Sequence, residues 1–251
     1  MPQKAKVYIA LVICTGAAVL ALAARSWSSA SLVQFLVLLG FAAASSTFKL
    51  RIPGMESTMS PNFIFLVLAM LCCSFSEVAA MALVAALVQS LWAAKRPRLV
   101  QVAFSAAALV LSASAAFQCA HFLLGLSASN SPVVFAILAG SLYLPLNTAL
   151  VSAVIGLVEG RSLVEVGKIC YESIFPYCMA GMVFAGLVSS VFSRSTVWQG
   201  ATVLFPVAVL GYLYSLSRTP AVALAPARPV SVHAENEELI EVGSTPSRPR
   251  R

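Results

Sequence analysis

Apolar residues run through most of this chain in long blocks, and the polar residues gather in short breaks between them. The blocks are apolar all round rather than along one helical stripe. That is the pattern of helices with no water-facing side. A helix that crosses a bilayer needs about 20 mostly apolar residues, each rising about 1.5 Å. Eight blocks approach that length: 7–24, 31–48, 61–75, 78–94, 99–126, 132–158, 169–192 and 197–216. The third is short and meets the fourth across only Ser76 and Glu77. These two read either as separate spans or as one helical hairpin that does not cross fully. The pattern predicts an all-α, polytopic transmembrane helical bundle of about eight spans (six to eight).

Composition supports this reading. Of 251 residues, 60% are apolar and only 10% charged, and the mean hydropathy is +0.91. A globular chain in water is nearer half apolar and a quarter charged. The basic residues then orient the spans. Lys4 and Lys6 precede the first block, and Lys49 and Arg51 follow the second. Lys95, Arg96 and Arg98 follow the fourth, Arg161 and Lys168 the sixth, and Arg218 the eighth. Only Arg25 and Arg194 fall in the alternate breaks. Cytoplasmic loops carry the excess of Lys and Arg, so both termini are expected in the cytoplasm and the protein in a bacterial inner membrane. The hairpin alternative keeps the same parity. A signal peptide is the other reading of the N-terminus, from Lys4, Lys6, an apolar run and Ala21-Leu22-Ala23 as a cleavage site. The run is long for that role, and further spans follow it.

The net charge of +7 is explained by these short loops, which meet anionic lipid. No basic stripe with interleaved aromatics points to nucleic acid. After Arg218 the composition changes to Pro, Ala, Ser, Glu and Arg. Residues 1–217 therefore read as the helical bundle and 218–251 as a disordered cytoplasmic tail, with too little apolar surface to offset ordering entropy.

Candidate chemistry is sparse. All nine acids are Glu. The absence of Asp removes aspartyl proteases, Walker B sites, EF-hands and kinase loops. The six cysteines form no CxxC and no metal spacing, and there is no HExxH. No metal, cofactor or catalytic motif is expected, so the chain reads as a non-enzyme. Polar residues inside apolar blocks are costly in lipid and mark candidate sites. Asn147 follows Pro145, which removes a backbone hydrogen bond. Glu172 stands early in the seventh block, at i+4 from Lys168. Gln89 lies within the fourth. The break 49–62 (KLRIPGMESTMSPN) brings Ser57, Thr58 and Asn62 ahead of the short third block. A polar loop before a short apolar segment suggests re-entry, with a half-helix start facing a ligand. The ligand-binding candidates are thus Asn147, Glu172, Ser57, Thr58, Asn62 and Gln89. Small residues at four-residue spacing, at Gly40/Ala44, Ala108/Ser112/Ala116, Gly156/Gly160 and Gly181/Ala185/Ser189, suit close helix packing within one chain and leave homo-oligomerisation open.

Three stretches carry a resemblance: FKLRIPGMESTMSPNFIFLVLA at 48–69, VQSLWAAKRPRLVQVAFSAA at 88–107 and EGRSLVEVGKICYESIFPYCMAGMVFAGL at 159–187. With the opening KAKVYIALVI, they resemble the N-terminal multi-spanning domain of bacterial signalling proteins, acidobacterial type, that precedes GGDEF or HD-GYP output domains. The resemblance implies an eight-span input module that senses a ligand or a membrane state. No GGDEF or HD sequence follows the last block, so it implies a module that acts through a separate cytoplasmic partner. Sensory input or scaffolding is the first expected function. A small-molecule permease, or the substrate-binding subunit of a transporter, is the alternative, with transporter subunits as partners.

Overall fold

The computed structural model describes residues 2–29, 31–47, 50–51, 58–59, 62–93, 98–127, 131–160 and 162–192. By its internal packing the chain divides into Met1–Ser217 and Arg218–Arg251. The eighth apolar block and the predicted tail lie outside the described residues. So do Ser57 and Arg161.

Among the described residues there are seven helices: α1 (Gln3–Arg25), α2 (Leu32–Thr47), α3 (Phe63–Cys72), α4 (Phe75–Ala93), α5 (Leu99–Ser127), α6 (Pro132–Glu159) and α7 (Leu163–Phe192). Two short strands, β1 (Leu50–Arg51) and β2 (Thr58–Met59), pair antiparallel between α2 and α3, with Arg51 opposite Thr58. Among the described residues, four helices, α1, α4, α5 and α6, are long and apolar enough to cross a membrane.

Their termini follow local chemistry. Proline opens α6, where its missing N–H costs nothing, and Ser131 precedes it. Gly160 closes α6 in the left-handed region at φ 71°, its N–H donating to the Gly156 carbonyl at 2.9 Å. That geometry suits glycine because it has no Cβ. Gly160 is therefore a helix stop and not half of a packing pair with Gly156. α7 starts at Leu163, earlier than the apolar block at 169, and carries the basic and acidic residues of that stretch into the helix.

The outside of the bundle is apolar. On α1, Val7, Leu11 and Leu22 are each more than 60% exposed, while Ala5, Ile9, Val12 and Gly16 form a buried seam. Lipid is the solvent that such a surface fits. At the seam, a Cβ on Gly16 would lie 2.6 Å from the Ala107 Cβ and 2.8 Å from its Cα. The glycine thus lets α1 and α5 approach backbone to backbone. Gly181, Ala185 and Ser189 of α7 are buried inside the chain, whereas Gly40 and Ala44 of α2 face outward.

The centre of the bundle is occupied by α3. Every residue from Phe63 to Met70 is buried, so no side of this helix meets lipid. It packs against α2, α4, α5, α6 and α7. Ten residues span about 15 Å, roughly half of a 30 Å hydrocarbon core. α3 turns at Cys73–Ser74, and α4, long enough to cross a membrane, runs back beside it.

Candidate functional site

The half-helix α3 is held by polar contacts at both ends. At its start, Asn62 occupies the N-cap position with helical backbone angles (φ −63°, ψ −16°), and its side chain makes no cap hydrogen bond. It turns sideways instead. The Asn62 amide Nδ2 donates to the Gln89 Oε1 on α4 at 3.5 Å. Asn62 is only 5% exposed, so this long bond is made away from water. Around it, the Phe63 ring lies 5.5 Å from the Tyr143 ring of α6, and Phe65 stacks on Phe41 of α2 at 6.2 Å.

At its other end the chain breaks the helix in an extended conformation at Cys73 (φ −117°, ψ 164°) and restarts at once. Ser74-Phe75-Ser76-Glu77 forms a capping box. The Glu77 Oε2 accepts the Ser74 N–H at 2.8 Å, and the Ser74 Oγ faces the Glu77 N–H at 3.4 Å. Such a box satisfies two free donors of a helix start. Here it also ties the α3–α4 turn to the α1–α2 connection. Ser29 Oγ donates to Glu77 Oε1, Ser74 Oγ to the Ser28 carbonyl, and Ser76 Oγ to the Ser26 carbonyl at 3.1 Å. Glu77 is 1% exposed, a buried carboxyl group that accepts from Ser29 and Ser74. Along α4, Gln89 lies about 18 Å from Glu77. The two polar contacts therefore bracket the buried length of α3.

Of the residues singled out in the sequence, Asn62 and Gln89 meet. Thr58 lies in β2 opposite Arg51, in the segment that leads into α3. Ser57 lies outside the described residues, and the side chain of Glu172 on α7 does too. Asn147 is half-buried on α6. Pro145 does line a cleft of about 560 Å³ between α1, α6 and α7, but it is Thr148 and Ser152, not Asn147, that face it. Among the described candidates, Asn62 and Gln89 are in contact.

The residues missed in the sequence are Ser74 and Glu77. Their spacing, S-x-x-E before an apolar run, is a recognisable helix-start pattern. Among the cysteines, Cys178 is buried, Cys72 and Cys73 are half-buried at the end of α3, and Cys14 and Cys119 are exposed on the apolar surface. His121 is wedged between the rings of Phe117 and Phe135, with centroids 4.3 and 4.7 Å away. Among the described residues, no three His, Cys, Asp or Glu side chains gather where they would hold a metal ion. No protein-family model, curated protein or solved structure matches the chain.

Proposed function

We propose that this chain is a non-catalytic, eight-span inner-membrane module with both termini in the cytoplasm, which takes in a signal within the membrane and passes it to a separate cytoplasmic protein. One observation carries the reading: the bundle is filled by a half-helix buried on every side and pinned at both ends by polar contacts. A permease of this size would be expected to place its substrate near the midplane, along broken helices that line a cavity. Here Phe63, Phe65, Leu66 and Met70 fill that level with packed carbon. A rigid insert held at both ends carries a displacement from one end to the other, which is what a switch requires. In this orientation the Asn62–Gln89 contact lies toward the cytoplasm and the Ser74–Glu77 box toward the outside.

The test is purification of the full chain at native expression, with mass spectrometry of co-eluting proteins, followed by reconstitution in liposomes. A signalling enzyme that co-elutes with the wild type, and is lost on Asn62→Leu, is the expected result. Accumulation of a solute by the liposomes, or co-elution of transporter ATPase subunits, would refute it.

The permease reading draws on a different observation, the cleft beside Pro145. It predicts that Thr148→Leu abolishes uptake of a solute.

A further inference from the structure

The cleft between α1, α6 and α7 has a chemistry of its own, independent of the switch reading. Its volume of about 560 Å³ falls in the range of small-molecule and lipid sites, about 300–1,000 Å³. Tyr8, Pro145, Thr148, Ser152, Gly167 and Tyr171 shape it. Most of the wall is carbon. The long axis follows the helices: from Pro145 to Ala153 the α6 wall extends about 12 Å. It is open on one side, since Pro145 and Tyr171 are exposed.

Two hydroxyls in the wall differ. The Tyr8 hydroxyl already donates to the Leu150 carbonyl at 3.2 Å. The Ser152 Oγ is buried, with the residue 3% exposed, and has no hydrogen-bond partner. Serine in a helix commonly back-bonds to the carbonyl four residues earlier; this one does not. Opposite it stands Gly167, where even a Cβ would remain 3.7 Å from the Ser152 Oγ. The bare backbone leaves the back of the cleft open. A buried hydroxyl without a partner is unfavourable, and a ligand acceptor offsets the cost. Charge marks the nearby end of the bundle. Lys4 and Lys6 lie in the first turn of α1, ahead of Tyr8, and exposed Lys168 follows Gly167. Basic residues between membrane helices at the cytoplasmic side suit anionic lipid headgroups.

We infer that the cleft holds one acyl chain of an anionic glycerophospholipid. The chain lies along Thr148, Pro145 and Tyr171. The ester carbonyl accepts a hydrogen bond from Ser152 Oγ after a rotation about its χ1. The phosphate lies level with Lys4 and Lys6.

The experiment uses the full chain in neutral detergent, delipidated and then titrated with phosphatidylglycerol or phosphatidylcholine in mixed micelles. Native mass spectrometry counts the lipids retained. One phosphatidylglycerol per chain is expected, bound at least ten-fold more tightly than phosphatidylcholine. Gly167→Leu fills the back of the cleft and should lower retention at least ten-fold. Ser152→Ala guards against misfolding: it should lower retention about five-fold, yet leave the delipidated protein melting no lower than wild type, because it removes an unpaired hydroxyl. Equal retention of the two lipids overturns the inference, as does retention unchanged by both variants. Crosslinking of residue 167 to the chain's own 197–216 segment in lipid-loaded protein overturns it as well, since the occupant would then be the protein itself.

Discussion

Glu77 is the residue whose removal tests the architecture most directly. Its carboxyl group is 1% exposed and accepts from two donors, the Ser74 N–H at 2.8 Å and the Ser29 hydroxyl. Replacing it with Ala removes the side-chain half of the capping box, while the backbone N–H of residue 77 still faces the Ser74 Oγ. It also leaves the Ser74 N–H with no acceptor in a buried turn, which costs about 1–3 kcal/mol. The Ser29 hydroxyl can rotate, so its loss adds little. The expected destabilisation for Glu77→Ala is therefore about 2 kcal/mol, within the range of what single substitutions usually do. Glu77→Gln separates hydrogen bonding from charge. The glutamine oxygen still accepts from Ser74, and its amide can donate to the Ser29 Oγ. Its cost should be about 1 kcal/mol.

The assay is equilibrium unfolding of the full chain in mixed micelles, read by tryptophan fluorescence, since Trp27 sits edge-on to Phe35 at 5.8 Å beside this junction. The pair Ser29→Ala and Glu77→Ala should then couple by about 1 kcal/mol in a double-mutant cycle, because the two side chains touch. A Glu77→Ala protein within about 0.5 kcal/mol of wild type, the scale of an ordinary surface substitution, would show that the turn is not fastened as described.

Three further outcomes follow from contacts elsewhere. Gly160→Ala forces a Cβ into the left-handed region at φ 71° and should cost about 1 kcal/mol, with Gly160→Asn closer to wild type; thermal unfolding in detergent reads the difference. Gly16→Ala places a methyl 2.6 Å from the Ala107 Cβ, so stability should fall by about 1–3 kcal/mol, and Ala107→Gly in the same chain should restore part of it. Asn62→Leu and Gln89→Leu each remove the same hydrogen bond, so the double variant should be less destabilised than the sum of the two, as measured by the same unfolding cycle.

Sequence alone carried the long helices well. The block at 99–126 became Leu99–Ser127 and that at 132–158 became Pro132–Glu159, because Ser, Pro and Gly punctuate both. The third block was harder for a physical reason. Lipid and protein interior are both apolar, so periodicity does not tell a helix surrounded by one from a helix surrounded by the other. Phe63–Met70 therefore looked like a short span, and only packing reveals it as the core. The same limit hid the cleft. Asn147 drew notice as a polar residue after a proline, but the cleft wall is one position along, at Thr148, about 100° around the helix. Glu77 was overlooked for a simpler reason: it was read as a break between two blocks, when S-x-x-E marked the start of α4.

The position of α3 does not come from its own helical preference. A ten-residue helix in isolation is marginal, because one costly nucleus is spread over few hydrogen bonds. Within hydrocarbon the balance changes, since an unpaired backbone group there costs several kcal/mol. The helix forms, but nothing within it sets its depth or rotation: its sides are carbon, and carbon against carbon is weakly directional. Register must come from the ends. Asn62 with Gln89 sets one end, and Ser74 with Glu77 and the serines of the α1–α2 connection set the other. A stiff element fixed at two points transmits displacement. If the Glu77 end is shifted by about one turn, the packed segment carries the shift to Asn62, because a close-packed core repacks between discrete arrangements rather than yielding gradually. Disulfide crosslinking between cysteines introduced at 62 and 89 reads that displacement directly. It should form rapidly in an otherwise wild-type chain and slow at least five-fold when Glu77→Ala is added. Equal rates would mean that the two ends are fixed independently, and the coupling on which the switch reading rests would be gone.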